Sequence, residues 1–430
     1  MAEVRPFRGV RYAQSIDLQE VVSPPYDVIA AAEAAALRAR SPYNAIHIDM
    51  PHDDAGGDEY ARAGRLFAEW RRDGVLRRDG EPRFYLIDQT FRGPDGFERT
   101  RRGFAGRLRL ADFSERVVLP HEMTHVGPKR DRLALMRATH ADLSQIFMLY
   151  PDDKGEISAA LAAAAPSARV AKVTDKDGTI HRLRVVGGEA AVRIAALLAA
   201  ETIYIADGHH RYDTALAYRD ERRAAGDHSA DHVLAYFCSM NDPGLTVFPT
   251  HRLLKDIELP PMDEVIDRLR PTFEVFPERG ADRGACEMMA GHLRSFGDRG
   301  KVFGLYFPHE SACVTVELRD PASIGRLVER GFSPAAARLS VTILHQLIFR
   351  DALGIDPAQT EGKIDYVASA SAAFDLLSTG EYSLGAFINP TLVSEVREIA
   401  DAGETMPHKS TYFFPKLLTG LVFDALDDGD

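Results

Sequence analysis

Cysteine is scarce. The 430 residues carry three, Cys238, Cys286 and Cys313, and no two form a Cys-x-x-Cys pair. That argues against a disulfide framework and a cysteine-based zinc site, and fits a reducing interior. Long apolar runs are lacking too. The longest, Ala190 to Ala206, is interrupted by Arg193 and Glu201, which makes it unsuited to crossing a bilayer. The first residues, MAEVRPFRGVRY, show no apolar core of a secretory signal. Nor is there a cationic excess. Fifty-two basic side chains face 64 acidic ones, a net charge of −12. Such a balance argues against a broad nucleic-acid footprint and leaves room for a local basic pocket. Gly-x-Ser-x-Gly is absent, and Cys238 in LAYFCSM reads as a buried inert thiol, so a serine or cysteine hydrolase has no support. What remains, at 45% hydrophobic and 27% charged, is a globular composition long enough for two or three domains, expected in the cytoplasm.

Along the chain, α and β signals mix. A strand-like VRPFRGVRY leads to the proline-stiffened loop SPPYDVI, a helical AAAEAAALRAR and an alternating NAIHIDM that reads as strand. Tyr60, Ala63, Leu66, Phe67 and Trp70 fall at helical spacing. PRFYLIDQTFR and FERTRRGFAGRLRL flank Gly-Pro-Asp-Gly as a hairpin, and RVAKVTDKDGTIHRLRVV is a second hairpin with Asp-Gly at its turn. Helices are expected over Lys129 to Ala141, 155–165 (ended by Pro166), about 188–200 and from about Tyr212 to Ala225. Strands are expected at DLSQIFMLY and TIYIA. Pro260-Pro261 is the expected boundary between a domain 1–260 and a C-terminal α+β lobe 261–430. The lobe opens with a helix and the strands KVFGLYF and ACVTVEL, then runs helical to MPHKSTYFFPKLLTGLVF. The acidic end DALDDGD reads as frayed.

Three segments carry chemistry. The sharpest is Ala206-Asp207-Gly208-His209-His210-Arg211, between an apolar strand and an amphipathic helix. A strand-to-helix turn offers backbone N–H groups and the positive end of the helix dipole to an anion. Gly208 permits close backbone approach, and His210 and Arg211 can donate to phosphate oxygens. Asp207 would repel a bare phosphate and makes more sense holding Mg²⁺ or a substrate hydroxyl. The plainer alternative is a capped helix start with exposed side chains. The second segment is Pro120-His121-Glu122-Met123-Thr124 followed by Lys129-Arg130-Asp131-Arg132, where a carboxylate beside a cationic cluster is available as base or metal ligand. It can equally be a solvated loop. The third is His408-Lys409-Ser410-Thr411-Tyr412 through Lys416. Its Lys-Ser-Thr echoes a Walker A ending, but the required glycines are missing, which leaves either a phosphate-binding set or a strand edge. His251 and Arg252 could add cations to the same pocket, and Tyr26 and Asp27 sit on a rigid loop. The histidines His209, His210, His232 and His251 have no zinc-ligand spacing.

With these segments in view, RPFRGVRY, VVSPPYDVI, LPHEMT with KRDRLALMRAT, IADGHHRYDTAL, FPTHRLL and MPHKSTYFFPKLLTGLV recur in order in the bacterial and archaeal domain-of-unknown-function family numbered 1015, which the chain resembles over nearly its whole length. The strand–Asp-Gly-His-His-Arg–helix element further resembles the phosphate-binding turn of the ParB/sulfiredoxin superfamily and of its archaeal free-serine kinase. The helix ending Arg72-Asp73-Gly74-Val75-Leu76 resembles a second feature of that fold. The resemblance implies an α+β chain with a ParB/sulfiredoxin-like nucleotide-binding core, inserted β-hairpins and a C-terminal α+β lobe. It implies phosphoryl transfer from ATP or ADP, with Mg²⁺, to a small hydroxylated acceptor, most specifically free L-serine. In that reading Glu122, Asp207 and His209 are catalytic, with Asp207 on Mg²⁺ and Asp27 the second choice of base. Gly208, His210, Arg211, His251, Arg252, Lys129, Arg132, Lys409, Ser410, Thr411 and Lys416 bind phosphate or nucleotide, and Tyr26, Asp27, His121 and Thr124 meet the substrate. Two alternatives stand beside it, a nucleotide-binding switch or scaffold without turnover and a metal-dependent hydrolase. Expected partners are a small-molecule substrate and a nucleotide, with no nucleic acid and no membrane; a homodimer stays open.

Overall fold

In the computed structural model the hairpin Phe84–Arg92 and Glu98–Arg109 forms the middle of a large mixed sheet, paired antiparallel in register from Tyr85↔Ala105 to Arg92↔Glu98. Alternation drives it: Phe84, Leu86, Phe104 and Leu108 are buried in one cluster with Ile146, Met148, Ile203, Ile205 and Phe237. The structure describes all residues except 53–55, 94–95, 125, 166–170, 298–299, 320–321, 356–359, 361 and 427–430. The expected hairpin tip Pro94-Asp95 and the helix stop Pro166 therefore lie outside the described residues. The chain is α+β and falls into two units, Met1–Thr246 with Pro415–Asp430, and Val247–Phe414.

In the first unit the sheet runs Val118–Leu119, Ile203–Asp207, Ile146–Tyr150, His232–Ser239, Glu98–Arg109, Phe84–Arg92, Ile180–Val186, Ala171–Thr174, and Val4–Arg5 also pairs with Glu98–Arg109. Ile203–Asp207 is parallel to Val118–Leu119 and antiparallel to Ile146–Tyr150, which is itself parallel to His232–Ser239. The helix Glu59–Arg72 forms as its spacing predicts. Asp58 caps it by accepting from the Tyr60 and Ala61 N–H groups, and Ala63, Phe67 and Trp70 are buried. NAIHIDM is not a strand. Residues Ile46–Asp49 form a short helix because Asn44, fully buried, accepts from the Ile46 N–H and donates to the Glu20 and Val22 carbonyls, a local alternative to strand pairing.

The end of the chain is not frayed through Ala425. Residues 415–426 return to the first unit, where Thr419 bridges Ser23, Phe423 bridges Val10, and Asp424–Ala425 pairs antiparallel with Ala141–Asp142. Buried Asp424 accepts both arms of the Arg107 guanidinium at 2.7 and 2.8 Å, which fixes the segment in place. Residues 427–430 lie outside the described residues.

In the second unit six described strands form an antiparallel sheet, in the order Phe273–Arg279, Ala312–Leu318, Val302–Phe307, Tyr382–Ile388, His251–Lys255, Ile364–Val367. Both faces are covered. Leu254, Leu305 and Ala386 pack with the helix Met262–Leu269 and the segment from Val341 to Ala352, whereas Leu253, Cys313 and Phe387 pack with the helices Arg283–Phe296 and Ala370–Leu377. The division falls at Thr246, ahead of Pro260-Pro261, because His251–Lys255 is an interior strand of this sheet. The region expected to be wholly helical contains the strands Ile364–Val367 and Tyr382–Ile388. No described helix is long and apolar enough to cross a membrane.

Candidate functional site

The strand Ile203–Asp207 is buried through Ala206 and ends at Gly208, whose φ of 94° is left-handed backbone that glycine adopts without strain. The helix that follows, His209–Ala224, starts three residues earlier than its periodicity indicates, so His209, His210 and Arg211 form its first turn. No side chain caps it at Gly208. A Cβ at Gly208 would stand 2.9 Å from the Arg211 Nε and Nη2 atoms, so only glycine lets Arg211 fold back over the turn.

Arg211 uses that room. Its Nη1 donates to the Gln145 carbonyl, and its Nη2 reaches an Asp207 carboxylate oxygen at 3.3 Å. Lys416 Nζ lies 3.3 Å from the other Asp207 oxygen. Burial alone would push the Asp207 carboxyl up, but Lys416 and Arg211 outweigh it and hold the pKa well below the usual carboxylate range. Burial likewise works against the Arg211 cation, and Asp207, Asp27, Tyr26 and Asp49 together raise it. The result is an ionised carboxylate between two cations at a helix start.

Lys416 is placed by a buried polar chain. Gln89 Nε2 donates to the Lys416 carbonyl at 2.9 Å, and Arg101 Nη2 donates to the Pro415 carbonyl at 2.5 Å. Arg101 Nε also donates to Gln89 Oε1 at 3.0 Å, and its guanidinium lies 4.5 Å from the centre of the Phe147 ring. Gln89 Nε2 stands 3.4 Å from His181 Nδ1, and His181 Nε2 is 3.0 Å from Asp175. Gln89, Arg101 and His181 are fully or almost fully buried.

His209 is also buried. Its Nε2 accepts from the His121 N–H at 3.3 Å, so in the neutral ring the proton is on Nδ1, which faces Glu122 Oε2 at 4.0 Å. Burial, reinforced by His121, pushes the His209 pKa down to about 3, so at neutral pH it faces Glu122 as a neutral ring. His121 donates from Nδ1 to the Ile205 carbonyl at 2.8 Å, and its ring meets His209 edge-on at 4.6 Å. Glu122 is partly exposed beside them.

Asp213, on the same helix one turn past His209, gathers two residues named from sequence. The Thr124 hydroxyl donates to it, and Lys129 Nζ pairs with it at 2.5 Å. Arg132 is held by Asp49 and Asp131, its Nη1 donating to the Asp49 carbonyl at 2.7 Å and its Nε to Asp131 at 2.7 Å, and its guanidinium lies 3.9 Å from the Tyr26 ring centre. Asp49, buried, also accepts from Thr419 at 3.1 Å. Asp49, Arg132, Asp142 and Arg211 border a cavity of about 40 Å³, room for about one water. Asp27 is exposed. Asp213, Asp49, Gln89 and Arg101 went unrecognised in the sequence; each is a single polar residue in an otherwise ordinary helix, strand or turn.

The remaining named residues belong to the second unit. His251 is buried and accepts from the Ile388 N–H at 3.3 Å. Arg252 donates to the carbonyls of Thr250 and, at 3.2 Å, Lys409. Lys409 is exposed, with a left-handed φ of 57°. The Ser410 hydroxyl donates to the Pro407 carbonyl at 2.5 Å, its own carbonyl accepts from Thr391 at 2.7 Å, and Thr411 is half-buried ahead of the strand Tyr412–Phe414.

Among the described residues no group of three or more His, Cys, Asp or Glu side chains is arranged to hold a metal. Asp207 is a single carboxylate, fewer oxygen ligands than an all-protein cage for a divalent cation supplies.

The family model for a protein of unknown function, DUF1015, matches residues 4–342. No curated protein matches the chain. Solved structures that align include a free serine kinase mutant in complex with AMP (13% identity, 72% of this chain and 88% of that chain, TM-score 0.35). Another is a C-terminally truncated SbnI from Staphylococcus aureus (10% identity, 76% and 90%, TM-score 0.36). A third is a conserved hypothetical protein from Pyrococcus furiosus (13% identity, 69% and 87%, TM-score 0.30). Likeness at these scores assigns neither a fold nor an activity.

Proposed function

This chain belongs to the DUF1015 family, and we propose that it transfers a phosphoryl group from ATP or ADP to a small hydroxylated acceptor, free L-serine in the first instance, on a ParB/sulfiredoxin-like core. The observation that carries the reading is the Asp207 carboxylate held ionised between Arg211 and Lys416 where a strand turns through Gly208 into a helix. Phosphoryl transfer asks mainly for positioning and charge neutralisation. The first-turn backbone N–H groups, Arg211, Lys416 and His210 supply positive charge for the phosphates. Asp207 is the residue that would hold Mg²⁺ accompanying those phosphates, and Arg211 and Lys416 would then be available to the phosphate oxygens. Bound there, Mg²⁺ neutralises phosphate charge.

Glu122 takes the proton of the acceptor hydroxyl as that oxygen bonds to phosphorus and the bond to the departing nucleotide oxygen breaks. His209, neutral and with Nδ1–H toward Glu122, is a positioning residue that orients this carboxylate. Asp27 is the alternative base, and its charge acts on Arg211.

The test is incubation of the chain with Mg²⁺, ATP or ADP, and a metabolite mixture containing L-serine, with products read by mass spectrometry. O-phosphoserine is expected. Absence of any phosphorylated product with every nucleotide donor defeats the kinase reading. Tight nucleotide binding without turnover would instead favour a nucleotide-dependent switch, whose mark is partner binding that changes with the nucleotide.

A further inference from the structure

We propose that the second unit, Val247–Phe414, contains an oxyanion-binding site built around the Arg252 guanidinium. Arg252 is 1% exposed, yet no described carboxylate pairs with it. Its Nη1 and Nη2 donate to the carbonyls of Thr250 and Lys409, and its face lies 5.6 Å from the Tyr366 ring centre; none of these partners brings a full negative charge. Its Nε has no acceptor. Holding a guanidinium out of water without a counter-charge costs several kcal/mol, so the fold retains a large unmet electrostatic demand.

Three more buried polar atoms of this unit have no partner: the hydroxyls of Thr250 and Thr342, and His345 Nε2. Thr342 and His345 stand three residues apart, at neighbouring positions along one helical face, where the helix Ser340–Ile343 passes into the π-helical run Leu344–Ala352. π-Helical turns are rare and recur at functional sites. Arg252 is close enough for its charge to act on His345, which burial and that charge together hold neutral, at about 3. A neutral ring protonated at Nε2 is a donor.

The Lys409 turn completes the argument. Lysine seldom adopts φ of 57°, and strained backbone of this kind persists where surrounding contacts over-determine it. Here the Lys409 carbonyl is fixed by Arg252 Nη2, and the His408 ring meets Tyr366 edge-on at 6.2 Å. The segments Thr250-His251-Arg252 and His408-Lys409-Ser410, distant in sequence, thus meet around one buried cation. A water molecule can satisfy a lone hydroxyl, but it brings no charge; a phosphate or carboxylate group brings both acceptors and charge.

The experiment uses the full chain carrying Arg211→Gln, so that anion binding at the Asp207 turn is suppressed. Calorimetric titration with inorganic phosphate, and separately with sodium acetate, should show one equivalent bound by at least one of the two, which identifies the preferred oxyanion class. Adding Arg252→Gln should weaken that binding about tenfold or more. Thr342→Val leaves Arg252 and its two carbonyl bonds in place, so it keeps the test valid if Arg252→Gln does not fold, and it should weaken binding severalfold. No binding of either anion up to about 10 mM, or equal affinity with and without the Arg252 and Thr342 changes, would overturn the proposal. Those outcomes leave the kinase reading untouched, because they concern the other unit.

Discussion

Replacing Asp142 by Asn should remove a pH dependence of stability that the sequence gives no reason to expect. Asp142 and Asp424 are cross-strand partners, both buried, and share one nearby guanidinium, that of Arg107, which is engaged bidentately by Asp424. Burial, and then the Asp424 charge, push the Asp142 carboxyl up to about 8. The folded chain therefore prefers protonated Asp142, while the unfolded chain releases that proton near the ordinary value of 3.8. A raised folded pKa means a contribution that is full below the ordinary value and is lost as pH rises through about 8. One proton of difference amounts to about 1.4 kcal/mol per pH unit, and allowing for the approach to the folded pKa, about 2 kcal/mol should disappear between pH 6 and pH 8. Asparagine mimics the protonated carboxyl and can still accept from the Leu234 N–H, now 2.9 Å from Asp142. Urea unfolding can be followed through Trp70, the only tryptophan and a member of the first unit's core. The variant should gain about 2 kcal/mol on the wild type between pH 6 and pH 8. A gap between the two proteins that is the same at both pH values, or that moves the other way, refutes the reasoning.

Asp424→Asn should cost about 3–5 kcal/mol by removing the buried carboxylate that accepts both arms of the Arg107 guanidinium; a loss under about 1 kcal/mol in the same urea assay would mean the pair adds little. Gly208→Ala should cost about 1–2 kcal/mol through left-handed backbone and displace Arg211 from the turn, so nucleotide affinity, measured by titration, should fall further than stability does. Gln89→Leu should weaken nucleotide binding about tenfold by freeing the Lys416 backbone; unchanged affinity would show that other contacts place Lys416. His209, with its pKa near 3, should contribute no inflection to an activity profile between pH 5 and pH 8, and an inflection in that range that disappears in His209→Asn would contradict its assignment as neutral.

Much of the first unit was legible because its patterns are strong. Alternating apolar residues flank Gly-Pro-Asp-Gly, and Tyr60 to Trp70 follow a helical period, and both became the expected elements. NAIHIDM misled because a short alternating run is also compatible with one helical turn when a buried asparagine ahead of it accepts from the Ile46 N–H. Ile364–Val367, a four-residue edge strand containing Asp365, and Tyr382–Ile388, an interior strand containing Ser383 and Gly385, were missed because neither shows clean alternation or a continuous apolar run. The division at Thr246 has no local signal, since it depends on which sheet His251–Lys255 joins. For the site, Asp207 to Arg211 could be read because a glycine between an apolar strand and an amphipathic helix has few other uses. Its support could not be read. Gln89, Arg101, Asp213 and Asp49 act across 83 to 370 positions of sequence, and only the folded chain brings them to Lys416, Thr124 and Arg132.

The central claim is that Arg211 and Lys416, held over Asp207, receive nucleotide phosphates. Calorimetric titration of ADP with Mg²⁺ into the full chain and into Arg211→Gln and Lys416→Met variants tests it most directly. One equivalent should bind to the wild type, and each variant should bind about tenfold or more weakly while unfolding with undiminished cooperativity. ADP affinity that is unchanged in both variants, or absent from the wild type, would contradict the account.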